Sequence, residues 1–118
     1  MLMSNILKEL NSTKELELAL TESDARPVLL FKHSLTCPIS TRAFGELQSY
    51  LKNADPRASY KLITVQKARG VSDEAASKLK LEHQSPQAIL VRNGRELWNA
   101  SHYEITALAL AEAIRNAD

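Results

Sequence analysis

The stretch VLLFKHSLTCPIS, residues 28–40, decides the fold of this 118-residue chain. It begins with four consecutive apolar residues, 28–31, a pattern typical of a strand that is covered on both faces of a sheet. Helical periodicity begins directly after Cys37, and Pro38 suits the first turn of a helix because its missing N–H leaves no bond unmade. The stretch therefore predicts a buried strand that runs into a helix, with Cys37 at the junction.

Further strands are predicted on both sides of this junction. Residues 62–65 and 88–91 are also short, near-continuous apolar runs, so we expect them to be central strands. Asn93-Gly94 separates the second run from residues 96–98 and indicates a hairpin, because both central residues of a type I′ turn need positive φ. A weaker strand is predicted over residues 5–8.

Four segments have helical spacing. The first and last open with capping-box patterns at residues 12–15 and 101–104, the second follows Cys37, and the third starts near residues 72–74. The predicted order is β-α-β-α-β-α-β-β-α. This order predicts an α/β fold with a mixed central sheet flanked by helices, formed by residues 1–118 as one domain.

Composition limits the classes of function. With 15 basic and 14 acidic residues the formal net charge is +1, which gives no electrostatic reason to expect binding to nucleic acid or to an anionic membrane. No run approaches the roughly 20 apolar residues of a membrane span, and residues 1–9 lack the pattern of a signal peptide. One cysteine suits a reducing compartment, so we expect a soluble cytoplasmic protein. That cysteine and three scattered histidines have no metal-ligand spacing, and no cofactor is expected.

Cys37 is the candidate nucleophile. A helix N-terminus presents unpaired N–H groups and a partial positive charge, which favour a thiolate. Because no second cysteine is present, disulfide chemistry here must pass through a mixed disulfide with another molecule. Ser40 takes the place of the second cysteine of a Cys-x-x-Cys motif. Its hydroxyl is expected to bond the Cys37 thiolate, to satisfy a backbone group, or to do both.

Three motifs in order carry a family resemblance: residues 31–34 with 37–40, then 83–87, then 98–102. Together they resemble the YtxJ-type monothiol bacilliredoxins, small thioredoxin-like proteins of bacteria that make bacillithiol. The resemblance implies a thioredoxin-like fold and an oxidoreductase that removes bacillithiol, or a similar low-molecular-weight thiol, from S-thiolated client proteins. It also implies a cis Ser85–Pro86 bond facing Cys37, with the adjacent backbone pairing with the incoming disulfide.

The same resemblance suggests residues that contact the bound thiol. Thr36 and Pro38 flank the cysteine. The malate end of bacillithiol is anionic, so Lys32 or a protonated His33 is a candidate to attract it; the alternatives are a solvated lysine and a hydrogen-bonded histidine. Ser101 and His102 are candidates because a helix N-terminus suits a carboxylate, although Ser101 is also suited to be a simple helix cap. The set of expected substrate-binding residues is thus Thr36, Pro38, Ser85, Pro86, Lys32, His33, Ser101 and His102.

Two other functions compete with this interpretation. One is a thioredoxin-fold adapter in which Cys37 is vestigial and the surface around Pro86 docks a partner. The other is an iron–sulfur carrier that shares a cluster with external thiols, as some monothiol glutaredoxins do. The pH dependence of Cys37 alkylation separates the first from an oxidoreductase, and a visible spectrum after anaerobic reconstitution tests the second.

Overall fold

The computed structural model describes residues 6–117 and contains a five-stranded sheet with two α-helices on each face. The strands are β1 (Leu7–Glu9), β2 (Val28–His33), β3 (Ser59–Thr64), β4 (Gln87–Arg92) and β5 (Arg95–Ser101). The α-helices are α1 (Thr13–Glu22), α2 (Pro38–Leu51), α3 (Arg69–Leu79) and α4 (Ala107–Arg115), and a 3₁₀ turn spans His102–Glu104. Within residues 6–117 no helix is both long enough and apolar enough to cross a membrane.

The sheet is mixed, with strand order β1-β3-β2-β4-β5. Strand β3 pairs in parallel with both β1 and β2, whereas β4 is antiparallel to β2 and to β5. Strands β2 and β3 therefore end at the same edge at which β4 begins and β5 ends. We call this edge, which carries Cys37, the Cys37 edge.

The two faces of the sheet bury separate apolar clusters. On β2, Leu29 and Phe31 face α2 and α4, while Val28 and Leu30 face α1 and α3. All four are at most 1% exposed. Burial on both faces explains why this strand is a continuous apolar run instead of an alternating one.

The hairpin turn and the Ser12 cap of the first helix are confirmed, but the Glu15 carboxylate accepts the Asn11 N–H at 2.7 Å instead of the Ser12 N–H of a capping box. The Ser12 hydroxyl accepts a hydrogen bond from the Glu15 N–H at 3.2 Å, and α1 starts at Thr13. Asn93 and Gly94 have φ values of 56° and 71°, as a type I′ turn requires. Strand β1 lies over residues 7–9 instead of 5–8, and Asn5 is outside the described residues.

Two helix starts differ from the prediction. Helix α3 begins at Arg69, three residues before the predicted start, because the Ser72 N–H already bonds the Ala68 carbonyl. The capping box at Ser101 is present, but it closes only the single 3₁₀ turn. The chain then becomes extended at Ile105, and α4 starts two residues later, where the Thr106 hydroxyl accepts the Ala109 N–H.

Candidate active site

Cys37 is the N-cap residue of α2, and its thiol is half-buried. Its backbone is extended (φ −103°, ψ 120°), and its carbonyl accepts the Thr41 N–H at 3.1 Å. Pro38 is the first helical residue, as predicted, and the cysteine side chain makes no capping bond. The sulfur thus lies partly accessible at the end of a 14-residue helix that stabilises negative charge.

Ser40 lies on the first turn of α2 and is fully buried. Its Oγ accepts the Ser34 N–H at 2.8 Å and lies 2.8 Å from His33 Nδ1. Of the two roles considered for this hydroxyl, satisfying a backbone group is the one seen. Within the described part of the chain, Ser40 makes no hydrogen bond to the Cys37 sulfur.

His33 is the last residue of β2, and its ring is half-buried against an aromatic side chain. It stacks on Phe44 of α2 with ring centroids 4.6 Å apart and an interplanar angle of 20°. Burial lowers the pKa of His33 below its ordinary 6.5, so the neutral imidazole is favoured near pH 7. The hydrogen-bonded alternative for His33 therefore describes the structure, and a protonated His33 is disfavoured.

Gln66, which no local sequence pattern singles out, holds the loop that leads to Cys37. Its Oε1 accepts the Leu35 N–H at 3.0 Å. Its Nε2 donates to the hydroxyls of Ser34 at 2.8 Å and of Thr36 at 3.3 Å. Thr36 is thus fixed by this amide, and one side chain from the end of β3 sets the path of residues 34–36.

The Ser85–Pro86 segment lies at the same edge of the sheet, and its peptide bond is cis, the isomer implied by the resemblance. Lys32 of β2 pairs with Gln87 of β4, so one further step in this antiparallel register places buried Pro86 opposite His33. The Ser85 Oγ is buried and has no hydrogen-bond partner among the described residues.

The segment after β5 completes the edge. The His102 N–H donates to the Pro86 carbonyl at 3.2 Å, which ties this segment to the cis-proline loop. The Ser101 N–H donates to the Glu104 carboxylate at 3.1 Å, and the Ser101 hydroxyl accepts the Glu104 N–H. Ser101 therefore acts as a cap, and a carboxylate of the chain itself occupies the position suggested for a ligand carboxylate.

Both predictions for Lys32 were wrong, because its side chain is neither solvated nor accessible to a ligand. Its side chain is 0% exposed, and its Nζ donates to the Ser72 carbonyl at 3.1 Å and to His83 Nδ1 at 3.2 Å. Burial lowers the pKa of Lys32 from 10.5 to about 8, partly opposed by the charge of Asp73. The alternation of side chains along β2 explains this position, since Lys32 follows Leu30 on the face covered by α3.

The contacts of three residues at this edge were not predicted from the sequence, for two different reasons. Arg42 places its guanidinium 5.3 Å from the ring centroid of Tyr103, so an exposed cation stands on α2 five residues after Cys37. The position of Arg42 on α2 could have been predicted from its spacing after Cys37. By contrast, Gln66 and His83 contact residues 31 and 51 positions away, and no local pattern signals such contacts.

The fold and the half-buried cysteine at the strand-to-helix junction define a thiol oxidoreductase of the thioredoxin class. Within that class, residues 8–110 match the family described as monothiol bacilliredoxin BrxC, and the chain belongs to that family. This confirms the resemblance found in the three motifs.

Solved structures agree with this assignment. A protein described as a candidate oxidoreductase with a thioredoxin fold is 33% identical, with 96% of this chain and 97% of that chain covered and a TM-score of 0.82. Thioredoxin from Fasciola hepatica is 16% identical, with 94% and 99% covered and a TM-score of 0.74. A mutant thioredoxin from Halobacterium salinarum is 14% identical, with 92% and 88% covered and a TM-score of 0.70. The last two show the fold alone.

Proposed function

We propose that this protein removes bacillithiol, or a related low-molecular-weight thiol, from mixed disulfides on client proteins in the cytoplasm. The observation that carries the proposal is the environment of Cys37. It is the one cysteine of the chain, it occupies the N-cap position of a helix with a half-buried thiol, and a serine stands three residues later. Such a site is suited to accept a thiol adduct and has no internal thiol with which to expel it.

The reaction consists of two thiol–disulfide exchanges. The Cys37 thiolate attacks the bacillithiol sulfur of the client mixed disulfide. A Cys37–bacillithiol disulfide forms, the bond to the client breaks, and the client leaves as a thiolate that takes a proton from water. A second bacillithiol thiolate then attacks the sulfur held on Cys37, which releases bacillithiol disulfide and regenerates the Cys37 thiolate. In the net reaction the client thiol is restored, the free bacillithiol is the reductant, and it leaves joined in one disulfide to the bacillithiol taken from the client.

The surroundings of Cys37 support an extended adduct beside the sheet edge. The Ser85–Pro86 loop is bonded to the segment after β5 through the Pro86 carbonyl, and together they form a wall at the edge of the sheet that carries the cysteine loop. The exposed Arg42 guanidinium supplies a cation on α2 for the malate carboxylates, a role for which buried Lys32 is unsuited. His102, half-buried at this wall, stays in the proposed contact set together with Thr36, Pro38, Ser85 and Pro86.

Intact-mass spectrometry during turnover of a bacillithiolated client tests the proposal. We expect a transient adduct of one bacillithiol on the protein and loss of the same mass from the client. The matched control is Cys37→Ser, which should form no adduct and leave the client modified while the far-UV spectrum is unchanged. Oxidised bacillithiol and oxidised glutathione, offered in parallel, identify the preferred thiol by the rates of adduct formation.

Two outcomes would contradict the proposal. Client reduction by Cys37→Ser would remove Cys37 from the reaction. The second outcome is a wild-type Cys37 that forms no adduct and is alkylated no faster than a free cysteine peptide at about pH 6. It would favour a thioredoxin-fold adapter, because an activated thiolate reacts at lower pH than an ordinary thiol does.

A further inference from the structure

Buried polar side chains gather at the Cys37 edge. Of the six buried polar residues described, only Ser23 lies away from this edge; the others are Lys32, Ser40, Thr64, Ser72 and Gln87. Buried polar groups are costly unless they are hydrogen-bonded, so their concentration at one edge of a sheet needs a reason.

Lys32 and Gln87, paired in register on β2 and β4, hold the segment before Pro86 from below. The Gln87 amide donates to the Glu82 carbonyl at 3.3 Å and accepts the Gln84 N–H at 3.4 Å. Lys32 reaches His83 between these two points, at 3.2 Å. Three successive residues of the loop are thus attached to two buried side chains of the sheet.

The contact between Lys32 and His83 determines the protonation state of the imidazole. An ammonium group has donors and no acceptor, so His83 Nδ1 must accept from Lys32, and the ring is neutral with its proton on Nε2. The Ser72 hydroxyl, also 3.2 Å from Nδ1, approaches the same nitrogen. A protonated ring would present N–H to the ammonium and place two cations in contact.

The other charged groups around His83 do not remove this conflict. Arg69 of α3 opposes its protonation, and Asp73 of the same helix favours protonation without forming a hydrogen bond to it. Burial and the Lys32 charge together lower the pKa of His83 below its ordinary 6.5. On the loop itself, the Glu82 carboxylate accepts from the Gln84 amide at 3.3 Å. Protonation of His83 is therefore expected to break its contact with Lys32.

We propose that Lys32 and His83 form a positioning pair, in which neutral His83 holds the Ser85–Pro86 loop for disulfide docking and protonated His83 releases it. The inference rests on the proposed function, because docking at this loop is part of that function. Cys37 itself is not a member of the pair, so acid should weaken docking of a disulfide separately from its effect on the thiolate.

The test compares two rates for the same protein from about pH 7.5 to about pH 4.5, the range in which histidines change charge. One is the rate of Cys37 with a bacillithiolated peptide, and the other is its rate with iodoacetamide, which needs no docking. Their ratio cancels the thiolate fraction. We expect the wild-type ratio to fall about tenfold on acidification, since misplacing a docking group slows a positioned reaction by at least this order.

The variant His83→Asn keeps an acceptor near the position of Nδ1 but does not titrate, so its ratio should be independent of pH. The control Lys67→Met removes an exposed lysine just before α3 and should keep the wild-type slope. A slope in His83→Asn equal to that of the wild type would overturn the proposal. A flat wild-type ratio would overturn it as well.

Nitrogen-15 NMR of the wild type gives a readout that needs neither a variant nor activity. We expect His83 as the Nε2–H tautomer near neutral pH, and backbone amide shifts of residues 84 and 85 that follow its titration. An Nδ1–H tautomer, or amides that ignore the titration, would refute the pair. If no disulfide exchange occurs at any pH while the amides follow His83, the proposed function fails and the proton-dependent loop contact stands.

Discussion

Replacing Lys32 by methionine should remove a specific pH dependence from the stability of the protein. The wild-type side chain has no exposed surface, and burial lowers the pKa of its ammonium from 10.5 to about 8. At 1.36 kcal/mol per factor of ten, this difference amounts to about 3 kcal/mol in favour of the neutral amine in the folded state. Methionine has a similar length and no charge to titrate.

The direction of the effect follows from proton counting. Between pH 8 and pH 10.5 the unfolded chain keeps a proton on Lys32 that the folded protein has lost, so stability rises with pH through this window. From pH 7 to pH 9.5 the gain is about 2 kcal/mol, and it is complete only above pH 10.5. Burial and the hydrogen bond with Tyr50 raise the pKa of the Tyr60 phenol. Its ionisation changes the stability of the wild type and of the variant alike above pH 10.

The assay is urea unfolding of wild type and Lys32→Met at several pH values between 7 and 9.5. We expect the difference between their free energies of unfolding to change by about 2 kcal/mol in favour of the wild type across this range. Lys67→Met, which removes an exposed lysine, should show no such change relative to the wild type. If the Lys32→Met difference is also constant with pH, Lys32 is not a buried titrating ammonium and the reasoning is refuted.

Three further substitutions test the site and the core. Ser40→Cys should form an intramolecular disulfide with Cys37 on mild oxidation, because residues three apart on a first helical turn are neighbours; two free thiols by mass spectrometry would contradict this placement. Gln66→Ala removes the acceptor of the Leu35 N–H, so we expect several-fold slower mixed-disulfide formation with a stability loss of about 1 kcal/mol, measured by adduct kinetics and urea unfolding. Leu47→Ala, at a fully buried position of α2, should cost about 2–5 kcal/mol by urea unfolding; a smaller loss would mean that the core cluster is looser than the packing indicates.

The strands, most helices and the nucleophile could be predicted because their signals are local. An apolar run, a proline after a cysteine, an Asn-Gly turn and a serine cap each act within a few residues of the chain. The predicted start of the last helix was wrong because it too relied on a local signal alone. The capping box at residues 101–104 is locally correct, but Thr106 offers a second cap, and only packing determines which one starts the longer helix.

The roles of the polar residues around Cys37 could not be predicted in this way. Local pattern allows Lys32 to be a solvated residue or a ligand contact, yet its partners Ser72 and His83 lie 40 and 51 residues away and bury it completely. The motif places Ser40 near the right atoms, but the bond that it makes depends on where the Ser34 N–H and His33 ring arrive after folding.

The sequence was sufficient to predict a monothiol site on a thioredoxin-like fold. The number of cysteines can be counted in it, and the strand-to-helix junction at Cys37 is indicated by neighbouring residues. Tertiary structure decided which side chains support that site, because β2, β3, β4 and β5 bring residues from four distant segments to one edge. Burial then shifts the pKa values of the ionisable side chains and requires that the buried polar groups form hydrogen bonds. The ammonium of Lys32 therefore contacts the imidazole of His83 on the segment before the cis-proline, and Gln66 holds the loop before Cys37.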